Sequence, residues 1–342
     1  MVTLLYPENH ATVSLQTTAQ KDFIANHDEY IRNKNWREKV YGAQHFMTAP
    51  APAYFSWKDA DPSDAFVLSA SEDFSEVIYT ACNSTSCAVY NLYVGRTYYW
   101  KVGDSEVRTF HTADELPRFI YAEGAQNIRD LGGYSTVYGR RVKQGMLYRS
   151  AAFDGTGSIE AAGIRRMRED FGIRCDFDIR QYSEGGSRTE SPLGADIRYV
   201  RTDRNPMDQF IFFLEDHQNC AFLIRFFGQK DIYPVCIRGN DGVCRTSTIA
   251  ILLLAVLGVS DEDILRDLNM TALHGDNRVS VWQDGIFEEH PLPGVVDGFF
   301  AVMNSHFYGN TLHESCSKLL RLFGVKEEEL DAFRELMLEP AE

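Results

Sequence analysis

The sequence predicts an all-β sandwich followed by an α/β domain in which a mainly parallel sheet is flanked by helices. Three observations predict it. Short aromatic and branched runs recur about every ten residues through the first third of the chain, which is the spacing of antiparallel strands. Strand-like and helix-like segments alternate through the remainder, which argues for crossover units on a parallel sheet. The chain has 342 residues, 44% hydrophobic and 13% aromatic, enough apolar material for two cores and too much for a disordered chain.

A polar opening from Glu8 to Val40 precedes the first aromatic run. The strand-like runs are Ala53–Trp57, Ala65–Ala70, Val77–Cys82, Ala88–Leu92, Thr97–Val102 and Val107–Thr112, parted by Asp, Ser, Asn and Gly. In Phe55-Ser56-Trp57 the period of two puts both large rings on one face. Asn91-Leu92 and Gly95 read as a turn that enters the strand carrying Tyr98-Tyr99-Trp100, and Thr109–Thr112 reads as the last strand. The segment Glu115-Leu116-Pro117-Arg118 marks the boundary, so the expected domains are 1–117 and 118–342.

Beyond it, strands are expected at Phe119–Ala122, Met146–Arg149, Cys175–Ile179, Asp196–Val200 and Tyr233–Ile237. Helices are expected at Ser158–Phe171, Asp208–Phe227, Thr246–Leu257, Asp261–Leu273, Gly294–Phe307, Thr311–Phe323 and Glu327–Met337. Ser260 stands before Asp263 at capping-box spacing, a start signal for the helix after Gly258. The apolar run Ile249–Val259 is too short to cross a bilayer and reads as a buried helix.

Charge and cysteine usage narrow the function. A formal charge of −15 would be repelled by a nucleic-acid backbone, so a nucleic-acid partner is not expected. The seven cysteines are scattered and lack zinc-ligand spacing, so they offer no zinc site. Cys82 and Cys87 are close enough in sequence to raise a disulfide, but the set as a whole reads as reduced thiols. The start MVTLLYPENH has no basic stretch followed by an apolar one, so the expected compartment is the cytoplasm, with a secreted protein that has lost its leader as the alternative.

The chemistry concentrates between Pro234 and Ser247. A short apolar strand, Pro234–Arg238, runs into Gly239-Asn240-Asp241-Gly242-Val243-Cys244, and Arg245-Thr246-Ser247 opens an apolar helix. A tight turn at a helix N-terminus presents unpaired N–H groups and a favourable dipole to an anion. Glycines at 239 and 242 let the backbone curl around a tetrahedral oxyanion, and Arg245 can fork two hydrogen bonds onto it. Taken alone, the same ten residues read equally as an ordinary strand-to-helix turn.

The surrounding sequence bears on that choice. Asn127-Ile128-Arg129-Asp130-Leu131-Gly132-Gly133, then Gly139 and Gly145-Met146-Leu147-Tyr148-Arg149-Ser150, resemble the N-R-D-L-G-G…G-x-x-Y-R-S opening of bacterial tyrosine phosphatases, a group of the cysteine-phosphatase class with dual-specificity and lipid-active members. Ile173–Arg180 with Glu184 resembles that family's I-D-L-R-x-x-x-E strand and turn. Val256–Ile264, with Asp267 and Thr271, is similar to the helix pair behind its phosphate loop. Gly324–Glu327 fits the start of its last helix. The resemblance covers about residues 118–340. The first third resembles a fibronectin type III module.

The resemblance implies a phosphoric monoester hydrolase fold with a phosphate-binding loop H-C-x-x-G-x-D-R-T-G. Against that pattern Gly242, Arg245 and Thr246 match. Arg238 stands in the histidine's place, Gly239 in that of the nucleophilic cysteine, Cys244 in that of the aspartate and Ser247 in that of the last glycine. The resemblance implies no metal and no other cofactor. Without the cysteine the covalent step is unavailable, and enzyme activity is in doubt. The expected phosphate-binding set is Gly239, Asn240, Asp241, Gly242, Val243, Cys244, Arg245 and Thr246. Pocket residues are expected at Asn127, Arg129, Asp130, Arg180 and Arg238. Arg245 is the leading residue for any residual catalysis, with Cys244 and Asp178 as weaker candidates. A salt bridge between Asp178 and Arg180 is an equal alternative to catalysis. Arg149 and Arg278 are candidates for added positive charge, Cys236 is expected to face the packed sheet, and His274 and His290 read as ordinary surface or helix-end residues.

Two readings follow. One is a pseudophosphatase that binds phosphate or a phosphorylated protein or lipid. The other is an active phosphatase working through Cys244 or a water held by the loop. The N-terminal sandwich is expected to serve a protein partner.

Overall fold

Side-chain alternation sets the first part of the molecule. In the computed structural model, residues 2–32, 47–154, 158–180, 185, 188–201, 217–274, 278–283, 286–291 and 309–341 are described. The chain divides into two compact units, residues 1–18 with 49–121, and residues 19–48 with 122–342. In the first unit Ala53, Phe55 and Trp57 of one strand are buried while Tyr54 and Lys58 between and after them are exposed, as a period of two requires.

That unit is built of strands β1 (Thr3–Tyr6), β2 (Ala11–Val13), β3 (Ala53–Lys58), β4 (Phe66–Ser69), β5 (Val77–Ala81), β6 (Ser86–Val89), β7 (Thr97–Val102) and β8 (Arg108–Thr112), with the short β9 (Arg118–Phe119) after them. They form one sheet in the order β1-β3-β6 and another in the order β2-β8-β7-β4-β5. Phe55, Trp57, Phe66, Leu68, Trp100 and Phe110 share one core. Phe55 meets Trp100 edge-on at 5.3 Å, and Trp57 stacks on Phe66 at 5.4 Å, arrangements that add to simple area burial. The turn expected at Asn91 has a left-handed backbone, φ 68°. Its amide grips Tyr121 on both sides, accepting from the backbone N–H at 2.7 Å and donating to the carbonyl at 2.9 Å.

Two features of the N-terminal stretch, of which residues 19–48 belong to the second unit, are not visible in the sequence pattern. Strands β1 and β2 lie before and within the polar opening, and helix α1 (Thr18–Arg32) occupies a stretch read there as featureless. Few apolar residues punctuate α1, although Phe23 is fully buried. Met47 N–H donates to Leu273 O at 2.9 Å, and the Met47 carbonyl accepts from Gln20 Nε2 at 3.0 Å.

The second unit carries β10 (Arg129–Asp130), β11 (Arg140–Val142), β12 (Leu147–Ser150), α2 (Ala161–Glu169), β13 (Cys175–Asp178), β14 (Arg198–Arg201), α3 (His217–Phe227), β15 (Val235–Arg238), α4 (Cys244–Val256) and α5 (Asp261–Asn269). A hairpin, β16 (Arg278–Gln283) and β17 (Ile286–Pro291), follows, then α6 (Leu312–Leu322), α7 (Glu327–Met337) and β18 (Leu338–Pro340). Strands of this unit run β14-β13-β15-β12-β10 across a mixed α/β sheet. The first four are mutually parallel and β10 is antiparallel to β12. β15 lies between β13 and β12 and has every residue buried, which is why Val235-Cys236-Ile237 reads as a continuous apolar run.

Helix α4 is apolar from Ile249 onward, and Ile249 to Leu257 are buried without exception. Ser260 caps α5 as its spacing predicts, its hydroxyl accepting from Asp263 N at 3.1 Å. The hairpin β16–β17 occupies a stretch to which the sequence pattern assigns no element. The expected helix Gly294–Phe307, the first half of the expected helix Asp208–Phe227, and Glu184 lie outside the described residues. No helix among the described residues is long and apolar enough to cross a membrane.

Candidate functional site

The turn between β15 and α4 is bound to the sheet through its backbone. Gly239 N donates to Ser150 O at 3.3 Å, Ala152 N to Asn240 O at 3.1 Å, and Ile179 N to Arg238 O at 3.0 Å. Within the turn Asp241 Oδ1 accepts from Val243 N at 2.9 Å, an Asx-type closure. Gly242 has φ 73°, and a Cβ there would lie 2.9 Å from the Ser150 and Ala151 backbone. Both the backbone angle and the close approach therefore demand glycine. Among the described residues the N-cap Val243 offers no side-chain cap to α4, in contrast to the cap that α5 obtains from Ser260.

Gly239 differs from Gly242 in kind. A Cβ built on it would point at Thr246 Oγ1, 2.7 Å away, with Gly242 N at 3.7 Å. The direction in which position 239 would project a side chain is thus into the turn and toward the start of α4. Arg245, half-buried on the first turn of α4, donates through Nη1 to Ile179 O at 3.1 Å. Asn240 and Asp241 are exposed. The side chain of Cys244 lies outside the described residues, and so do those of Arg278 and His290 on the hairpin.

On one side of the turn stands a buried group built from the Asn127–Gly133 segment. Asp267 of α5 accepts from Arg129 Nε at 2.9 Å and from Arg149 Nη1 at 2.5 Å. Arg129 also reaches Asp267 O at 3.0 Å and Asn127 Oδ1 at 2.6 Å. The turn itself is then gripped from this group, with Arg149 Nη2 donating to Gly242 O at 2.8 Å and to Ser247 Oγ at 2.5 Å, and Asn127 Nδ2 to Asp241 O at 3.0 Å. Burial works to raise the Asp267 carboxyl, but the charges of Arg129 and Arg149 outweigh it and hold the group below the ordinary value of 3.8. Asp130 accepts from the Gly132 and Gly145 amides at 2.8 and 2.6 Å. Gly132 itself has no room for a Cβ, which would fall 2.4 Å from Lys143 O.

On the other side lies a second group, buried at Asp176, Asp178, Arg180 and Arg238 and open to solvent at Arg188. Asp176 and Asp178 alternate on β13 and so share a face. Arg238 Nε meets Asp176 Oδ1 at 2.6 Å, its Nη2 lies 2.9 Å from Asp178 Oδ2, and its Nη1 is 3.4 Å from Asp154. The Nη2 contact is an ion pair by distance without the alignment of a hydrogen bond. Arg180 pairs with Asp178 at 2.8 Å and with Asp154 at 2.9 Å, and Arg188 reaches Asp154 at 2.8 Å. Ser191 Oγ and Tyr199 Oη donate to Asp176 and Asp178 at 2.7 and 2.8 Å. Burial pushes the Asp178 carboxyl up, yet the Arg180 hydrogen bond and the Arg238 charge leave it below the ordinary value.

The structure therefore brings Asn127, Arg129, Arg180, Arg238, Asp178 and Arg245 to the strand ends around the turn. Cys236, expected to face the sheet, is fully buried, and burial drives its thiol well above the ordinary value. Arg149 is the residue sequence reasoning undervalued, since its guanidinium holds the turn rather than lying at a surface. Asp267, Asp176 and Asp154 were not singled out for the site. The alternation Asp176-x-Asp178-x-Arg180 was the available signal for one of these groups.

The model of the tyrosine phosphatase family matches residues 120–339 of the chain. A provisionally named tyrosine-protein phosphatase of Cupriavidus necator is 30% identical over 164 residues, covering 41% of this chain. The match spans 58% of that relative's length.

Proposed function

The chain belongs to the tyrosine phosphatase family, and on that footing we propose that it binds phosphate or a phosphorylated protein or lipid at residues 239–245 without covalent turnover. One observation carries the reading. The side-chain direction of position 239 leads into the turn, onto Thr246 Oγ1 and Gly242 N, and the residue there is a glycine with no atom to attack phosphorus. The loop amides, the start of α4 and Arg245 supply the anion cradle, with Arg238, Arg180, Asn127, Arg129 and Asp130 as its surroundings. Asp178, held by two arginines, then serves the frame rather than proton transfer.

The test is a pair of proteins. The natural chain is expected to bind tungstate in a manner lost in Arg245→Ala, and to hydrolyse neither an aryl phosphate nor phosphopeptides. Gly239→Cys is expected to restore slow turnover, since the Thr246 hydroxyl nearest the new Cβ can rotate aside. Turnover stays partial because Arg238 and Cys244 also depart from the family loop. Hydrolysis by the natural chain that Cys244→Ser abolishes would instead support the second reading, in which the thiol beside Arg245 attacks. Hydrolysis that survives Cys244→Ser would point to a water held by the loop.

In the same reading residues 1–117 form a fibronectin type III-like sandwich that presents loops or edges to a protein partner, and residues 118–342 form the phosphatase-like domain. The free thiols of Cys82, Cys87, Cys175, Cys236 and Cys316 fit the cytoplasmic location of this reading.

A further inference from the structure

Thr246 is 1% exposed, and its Oγ1 has no hydrogen-bond partner among the described residues. That is unusual for a threonine in the first turn of a helix, where the hydroxyl ordinarily settles on a carbonyl three or four residues back. Here the carbonyl four residues back, Gly242 O, is taken by Arg149 at 2.8 Å. The neighbouring Ser247 hydroxyl is likewise engaged by Arg149, so of these two adjacent hydroxyls only one is satisfied. A buried unpaired hydroxyl costs stability, which suggests that something polar completes it. The direction of Oγ1 is defined: it faces the side of the turn on which position 239 would carry its side chain, 2.7 Å from the place a Cβ would take.

We propose that the Thr246 hydroxyl is a direct ligand of the bound oxyanion, donating to an oxygen that enters the hollow left by Gly239. The anion-site reading above underlies this, and the hydroxyl deepens it. Glycine at 239 then has a binding role as well as a chemical consequence. It opens room for a tetrahedral oxyanion to seat against a donor that a side chain there would cover. The ligand class is a phosphate-sized tetrahedral oxyanion, free or as a monoester whose ester oxygen points outward.

Tungstate titrated calorimetrically into the full chain tests it. Thr246→Val is expected to weaken binding about tenfold, the loss of one hydrogen bond to a charged group. The same variant is expected to keep or raise the Tm of the anion-free protein, because it deletes an unpaired buried hydroxyl. Thr246→Ser is expected to bind within about twofold of the natural chain, since the donor is retained. Gly239→Ala, which sets a methyl against Oγ1, is expected to match the loss in Thr246→Val, and the double variant to lose no more than either alone. Thr246→Val binding tungstate as the natural chain does, while Arg245→Ala loses it, would overturn the hydroxyl's role and leave the anion site standing. Absence of Arg245-dependent binding in the natural chain would overturn both.

Discussion

The two buried arginine–carboxylate groups that flank the turn solve one problem in different ways. In the first, a single carboxylate, Asp267, serves two cations, Arg129 and Arg149. The surplus positive charge is met by backbone oxygens, and one of these, Gly242 O, belongs to the turn. The group is therefore tied to the loop it supports. In the second, Asp154, Asp176 and Asp178 face Arg238, Arg180 and Arg188. Charge is balanced within the group, and most members have two partners. The comparison teaches that the first arrangement depends on one hub, whereas the second is redundant.

The hub gives the largest expected effect. Asp267→Ala leaves two buried guanidinium groups without their carboxylate, and losing one side of a buried pair costs about 3–5 kcal/mol. Denaturant unfolding of the variant checks this. Tungstate affinity should fall with stability, because Arg149 loses the anchor from which it holds Gly242 O. A variant as stable as the natural chain would show that water or a backbone shift replaces the hub.

Arg238→Met should cost less, about 1.5–3 kcal/mol, the range for losing hydrogen bonds to a charged group, because the carboxylates it leaves have other partners or can take up a proton. Asp178 keeps Arg180 and Tyr199, and Asp154 keeps Arg180 and Arg188. Among the described residues Asp176 keeps the Ser191 hydroxyl. A loss in Arg238→Met exceeding that in Asp267→Ala, measured by the same unfolding curves, would reverse the ranking of hub over redundancy.

How much of this was legible follows from the range of the interactions. Local signals served well: Thr97–Val102 and Glu327–Met337 begin and end where alternation and helical spacing place them, and Ser260 caps the helix its spacing announces. Family-like blocks placed Asn127 and Arg129 near the turn, and the structure gives each a partner there. What the sequence could not show is which charges meet. Arg149 and Asp267 stand 118 positions apart, and Arg238 and Asp176 stand 62 apart. No spacing rule links such residues until the sheet order is known. Helix α1 was missed for a different reason, since Phe23, Ile24, Tyr30 and Ile31 make only a thin apolar stripe in an otherwise polar stretch.

Acid titration gives the smallest effect within any one pH unit and sharpens the comparison by its sign. Asp267 has its folded value held below 3.8. Its contribution is complete above the unfolded value and is lost as pH falls from there through the folded one, with a slope of about 1.4 kcal/mol per pH unit for one proton. Asp176 runs the other way, because burial raises its carboxyl above 3.8 despite Arg238. The folded protein then takes up that proton before the unfolded chain does, so Asp176 favours folding below the unfolded value and loses that contribution as pH rises through the folded one. Unfolding free energies between about pH 3 and pH 6 should therefore fall less steeply with acid in Asp267→Asn than in the natural chain. In Asp176→Asn they should fall more steeply, because the opposing term is gone. Equal slopes in both variants would mean that the two groups share one electrostatic environment, and the contrast between hub and redundant cluster would not extend to their protons.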